Sequence, residues 1–246
     1  MTRLKQRIML ALLGLATSTV CAQFATPVSH ADGEWQFARL VYRDTGRGGT
    51  SFRTDWPEAE VYLKQGLERL TRLDIGTDTW IELDDFDLMN YPWLYAVEPG
   101  HWVLSEQDAE VLREYLMRGG FLLLDDFWGE NEWRTFETSM RRVFPSHPII
   151  EIPDTDPLMS LIYDVDKSIQ IPGANFGRGG VTWQNGGRIP HWRGIYDDDG
   201  RLMVAINFNM DLGDAWEHAD DPYYPQEMTT LAMRYAVNYV IYSMTH

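Results

Sequence analysis

Two aspartates stand side by side at the end of an apolar run, in FLLLDDFWGENEW over residues 121–133. Asp125 and Asp126 are of the type that acts as general base, general acid or metal ligand. A carboxylate at the end of a buried strand is costly unless it is solvated, paired or bound to a cation. Alternation along a strand sends neighbouring side chains to opposite sides, so one of the two faces any given cleft. The competing reading is structural: one aspartate caps the following helix and the other meets solvent. A second cluster lies in GDAWEHADDPYYP, residues 213–225. Asp214 and His218 are four apart, which puts them on one face of a helical turn. Oxygen and imidazole donors without thiolate suit a divalent metal such as zinc, manganese or magnesium. A solvated acidic loop accounts for the same residues, and no His-x-x-Glu-His motif is present. His101 adds a further imidazole that could serve as acid or ligand.

Other chemistries are absent. Serine hydrolysis on an α/β sheet needs a Gly-x-Ser-x-Gly elbow, and none occurs. The glycine clusters RGGT (47–50) and FGRGGVTWQNGG (176–187) lack the lysine and serine spacing of a phosphate loop and read as turns or a mobile flap. Ten tryptophans offer faces for stacking on sugars. Trp102, Trp128 and Trp216 are the best placed.

The elements that must position these residues alternate. FARLVY (37–42) is a first strand, and a loop rich in glycine and small polar residues follows it. EAEVYLKQGLERLTRL (58–73) has leucines at helical spacing, with Asp55 as cap and Pro57 in the first turn. TWIELDD and YPWLYAVEPG are short strands. LSEQDAEVLREYLMRGG is a helix with Ser105 as N-cap, Asp108 in the capping-box position and Gly119-Gly120 as stop. FLLLDDF has no alternation, as a central parallel strand covered on both faces requires. A helix over 131–144, a short strand PIIEIP, an Asp-Gly hairpin in YDDDGRLMVAINFN and a last helix over 226–244 complete the chain. This order predicts an α/β three-layer sandwich with a mainly parallel central sheet.

Ligands of such sheets bind outside the carboxyl ends of the strands. Arg43 and Asp44 follow the first strand, Glu98, His101 and Trp102 the third, and Asp126 and Trp128 the central one. Asn207, Asn209 and Asp211 close the late strand and lead into Asp214, Trp216 and His218. The ligand-binding candidates are therefore Arg43, Asp44, His101, Trp102, Asp126, Trp128, Asn207, Asp211 and Trp216. Asp125, Asp126 and His101 are the catalytic candidates, and Asp214 and His218 the metal ligands.

The chain of 246 residues carries a formal charge of −16. Residues 1–22 read as a signal peptide: Arg3, Lys5 and Arg7 precede the apolar IMLALLGLA, and Val20 and Ala22 suit a signal peptidase. Residues 23–34 read as a linker and 35–246 as a single α/β domain. Cleavage removes Cys21, the one cysteine, and with it any disulfide, thiolate nucleophile or Cys-ligated zinc. It also removes three basic residues and no acid, which takes the charge to −19. So acidic a chain suits cations, neutral sugars or a basic partner, not nucleic acid.

GHWVLSEQDAEVLREYLMRGGFLLLDDFWG, RVFPSHPI, GDAWEHADDPYYP and NYVIYSMTH together resemble the bacterial family known as domain of unknown function 4159. The resemblance implies a flavodoxin-like fold related to class I glutamine amidotransferases. It also implies partners in a membrane-anchored system of a MoxR-type ATPase and von Willebrand A-like domains. Where amidotransferases carry their cysteine, this strand leads to Asp125 and Asp126, so amidotransferase chemistry is not expected. The expectation is a periplasmic or secreted, non-catalytic binding or interaction domain for a polar small molecule or a protein at the membrane, with no stable membrane span after cleavage. The alternative is a carboxylate- or metal-dependent hydrolase acting on a glycan or another polar substrate. No cofactor is fixed by the sequence beyond the divalent metal that the acidic residues admit.

Overall fold

The computed structural model describes residues 33–46 and 48–246, so the expected signal peptide, most of the linker and Cys21 lie outside the described residues. In chain order the elements are β1 (Ala38–Val41), β2 (Arg43–Asp44), α1 (Glu58–Leu70), β3 (Thr79–Glu82), β4 (Trp93–Val97), β5 (Trp102–Val103) and α2 (Glu106–Met117). They continue with β6 (Phe121–Phe127), α3 (Gly129–Val143), β7 (Ile150–Glu151), β8 (His191–Tyr196), β9 (Leu202–Phe208), α4 (Leu212–Glu217) and α5 (Gln226–Thr245).

Seven strands form one sheet in the order β3-β1-β4-β6-β9-β8-β7. The first five are parallel, and β8 and β7 add an antiparallel edge. β6 lies at the centre and all seven of its residues are buried, as its unalternating apolar run demands. Successive residues of β6 serve two cores. Phe121 and Leu123 pack with α1, α4 and α5 on one face. Leu122 and Leu124 pack with α2 and α3 on the other. Three layers result, with helices on both sides of the sheet. None of the described helices is long and apolar enough to cross a membrane.

Local chemistry sets the helix ends. Ser105 Oγ accepts from the Asp108 N–H at 3.1 Å and Asp108 Oδ2 from the Ser105 N–H at 2.8 Å, which is the expected capping box. The β8–β9 hairpin turns at Asp197–Gly200, where Gly200 supplies a φ of 86°. Two expectations are corrected. The loop after β1 contains β2, which pairs antiparallel with β5. Asp55 does not cap α1: Pro57 holds the N-cap position, and only the Asp55 carbonyl takes a helical hydrogen bond, from Ala59 N–H at 2.9 Å. Its side chain is thereby released for another use.

Candidate functional site

Four loops at the carboxyl ends of the parallel strands converge on one cleft. The loop after β1 supplies Thr54 and Asp55, that after β4 supplies Glu98 and His101, that after β6 supplies Asp126 and Trp128, and that after β9 supplies Asp211 and Asp214. Glu132 of α3 and the amides Asn175, Gln184 and Asn185 complete a cavity of about 230 Å³. Six carboxylates line it, and the described lining contains no lysine or arginine.

The adjacent aspartates part company as alternation predicts. Asp125 shares the face of Phe121 and Leu123 and is fully buried. Its Oδ2 accepts from Tyr95 Oη at 3.1 Å and from the N–H groups of Leu212 and Gly213 at 2.8 and 2.9 Å. Asp125 therefore ties the end of β6 to the start of α4, the helix that carries Asp214; it does not cap the following helix α3. Asp126 lies where the pairing of β6 with β9 slips out of register, and its φ is 51°. That bulge aims its carboxylate into the cleft, at 8% exposure, with Oδ1 accepting from Trp128 Nε1 at 2.7 Å.

The backbone is unusual around this cleft. Five described non-glycine residues have positive φ: Asp55, Glu98, Asp126, Asn185 and Asn209. The first four line the cavity. Asn209 braces it from behind, with Oδ1 accepting from Gly129 N–H at 2.9 Å and Nδ2 donating to the Ile189 carbonyl at 2.8 Å. Left-handed backbone costs about 1–2 kcal/mol per residue, somewhat less for Asn and Asp, and strain of this kind concentrates at functional sites.

Arg39 of β1 sets the Asp55 loop. It is wholly buried, paired with the buried Glu60, and donates to the carbonyls of Phe52 and Thr54 at 3.1 and 2.8 Å. On the opposite wall a strap over residues 173–187 is clipped to the site carboxylates. Ala174 N–H donates to Asp214 Oδ2 at 2.6 Å and Asn185 Nδ2 to Glu132 Oε1 at 2.7 Å. Gly129, at φ 73°, has no room for a Cβ because the Asn185 carbonyl occupies that place.

Electrostatics follow from burial and crowding. Desolvation, then the neighbouring Glu98 and Asp214, hold the Asp126 carboxyl well above its ordinary range. Desolvation and the charges of Asp214 and Asp126 do the same to Asp55, with Arg39 opposing. Asp211 is raised by desolvation and then by Asp126 and Asp214. Asp125 is pushed up to about 7 by burial, against the hydrogen bonds it accepts. Burial also raises Glu132, with the hydrogen bond from Trp128 N–H opposing. The cleft holds more negative charge than it can keep ionised.

The family model described as Domain of unknown function (DUF4159) matches residues 36–244. The chain belongs to this family. No curated protein matches it.

Within the DUF4159 domain the sequence-derived candidates fall into two groups. His101, Asp126, Trp128, Asp211 and Asp214 line the cleft. His218 sits beside it, with Nε2 at 3.9 Å from Asp214 Oδ1. The others lie elsewhere. Arg43 and Asp44 line a separate groove on the β2–β5 side, and Asp44 Oδ2 accepts from Ser51 N–H at 2.7 Å. Asn207 is fully buried under α5 and accepts from Tyr239 Oη at 2.8 Å. Trp102 and Trp216, read as faces for sugars, are core residues: Trp102 stacks on Phe136 and Trp216 packs against Tyr95. Asp55 and Glu132 were not among the candidates. Asp55 resembles a helix cap in sequence, and Glu132 an ordinary acid in a first helical turn. Gln184 and Asn185 come from the glycine-rich stretch 176–187 read as turns or a mobile flap, and Asn175 directly precedes it.

Proposed function

We propose that this DUF4159 domain is a binding domain whose acidic cleft takes up a cation, either a divalent metal or the cationic group of a polar ligand. The carrying observation is the imbalance of six lining carboxylates with no lysine or arginine among the described lining residues. Asp126 and Asp211 are more than nine-tenths buried and are held there by fold contacts that leave part of each carboxylate facing the cavity. Burying like charges is unfavourable unless protons or a cation neutralise them, and a cation offsets that cost by mass action. The amides of Asn175, Gln184 and Asn185 would complete the coordination or hold the polar remainder of a ligand.

The five parallel strands, numbered among themselves, run 2-1-3-4-5, the order of flavodoxin-like sheets. That order supports the flavodoxin-like, amidotransferase-related fold that the resemblance implies. Export to the periplasm is proposed from the basic and then apolar pattern of residues 3–16. A protein partner of a MoxR-type ATPase and von Willebrand A-like system is proposed on the resemblance alone.

A second reading, hydrolysis of a glycan or similar polar substrate, is favoured by one feature. Asp126, its carboxyl raised by burial and by Glu98, stands in the same cavity as His101, whose Nε2 is 3.9 Å from Glu132. That pair has the types needed for acid and base work. Turnover on a glycan panel that vanishes in Asp126→Asn would promote it.

The binding reading is tested by thermal unfolding of chelator-stripped protein at pH 7.5 with magnesium, calcium, manganese, zinc, spermidine or arginine. A saturable rise in Tm with one of these cations, absent in Asp211→Asn, is expected. No rise with any of them refutes the reading.

A further inference from the structure

The cleft and its rim beside α4 carry two sets of three metal-ligating side chains that share one member. One carboxylate oxygen each from Asp55, Asp211 and Asp214 lie within 4.8 Å of one another, and one donor each from Asp214, Glu217 and His218 do the same. We propose that the domain binds two divalent cations bridged by Asp214. This rests on the reading of the cleft as a cation site and names its ligand.

The inner set is all oxygen and suits a hard ion such as manganese or magnesium. It is more than a group of acids. Asp55 Oδ2 is sealed from solvent and no N–H or O–H of the described residues donates to it, while the Glu217 carboxyl stands within hydrogen-bond reach of Asp55. Asp211 is 1% exposed, with Oδ1 accepting from Asp214 N–H at 2.7 Å. Its Oδ2 and Asp214 Oδ2 both lie under Gly173, where a Cβ would come within 3.3 and 3.1 Å of them. The bare backbone of Gly173 thus roofs this pair of oxygens.

The outer set brings an imidazole. His218 Nε2 is 3.9 Å from Asp214 Oδ1 and 4.0 Å from Glu217 Oε2. These separations are too long for hydrogen bonds. They fit two ligands of one ion, which at about 2.1 Å each stand at most about 4.2 Å apart. On the other side of the ring, Nδ1 faces Asp221 Oδ2 at 3.6 Å. An acid on the nitrogen away from the ion is the type of group that orients metal-ligating histidines, here at ion-pair and not hydrogen-bond distance. The ring also stacks on Tyr224, with centroids 6.1 Å apart. Asp214 is placed to serve both ions: Oδ1 faces His218, while Oδ2 lies with the inner set and accepts from Ala174 N–H.

Equilibrium dialysis of the chelator-stripped chain against manganese, read with electron paramagnetic resonance, tests the proposal. Wild type should hold two ions per chain with spin coupling between them. His218→Ala, a partly exposed change, should hold one uncoupled ion with an unchanged circular dichroism spectrum. Gly173→Ala should weaken the inner ion while the outer one remains. One ion in wild type, or two in His218→Ala, overturns the bridged pair and leaves the cation cleft standing. No bound ion overturns both.

Discussion

Raising the pH should destabilise the metal-free protein. Asp125 titrates near 7 in the folded chain and near 3.9 when unfolded. A carboxyl raised in this way contributes stability that is fully present below about pH 4 and is lost as the pH climbs to about 7. In that window the folded state keeps a proton that the unfolded state has released. Three pH units at about 1.4 kcal/mol each give on the order of 4 kcal/mol for this residue alone. Asp55, Asp126 and Asp211 shift in the same direction and add to the decline. Urea unfolding at pH 5, 6, 7 and 8 with chelator present should show a steadily falling midpoint. Asp125→Asn should flatten the part of the curve between pH 5 and 7. A divalent cation should restore more stability at pH 8 than at pH 5, because it competes with protons for the same oxygens. A midpoint that is flat or rises from pH 5 to 8 without cation would refute the electrostatic reasoning.

Three substitutions probe the frame of the site. Gly129→Ala must accommodate a methyl against the Asn185 carbonyl at a φ of 73°, and should cost about 1–3 kcal/mol and loosen the strap, read as faster proteolysis within residues 173–187. Arg39→Ala strands the buried Glu60 and should cost about 3–5 kcal/mol in denaturant unfolding. Trp216→Ala opens a cavity in the core between α4 and β4 and should cost about 3–5 kcal/mol, a loss that a solvent-facing sugar platform would not produce.

The sheet was legible because its signals are local. An unbroken apolar run made β6 central, and Ser105 with Asp108 fixed the start of α2. The edge of the sheet that carries the site was legible for the same reason: strand ends can be read from where apolar runs stop. Which polar residues turn inward was not. Asp126 faces the cleft because of a register slip that depends on β9, more than seventy residues away in sequence. Asp55 is placed by Arg39, whose partners Phe52, Thr54 and Glu60 become neighbours only in the fold. Trp102 and Trp216 looked like platforms beside a site, yet each fills one of the two cores, Trp102 on the side of α2 and α3 and Trp216 on the side of α1, α4 and α5. Asn175, Gln184 and Asn185 come from a stretch without periodicity, so their arrival in the cleft is a purely tertiary event.

The most direct test of the cation cleft is a crystal structure of the chain soaked in manganese, with anomalous diffraction measured near the manganese edge. Anomalous density among Asp55, Asp211 and Asp214 is expected. Density confined to other carboxylates on the surface, with this cleft holding none, would contradict it.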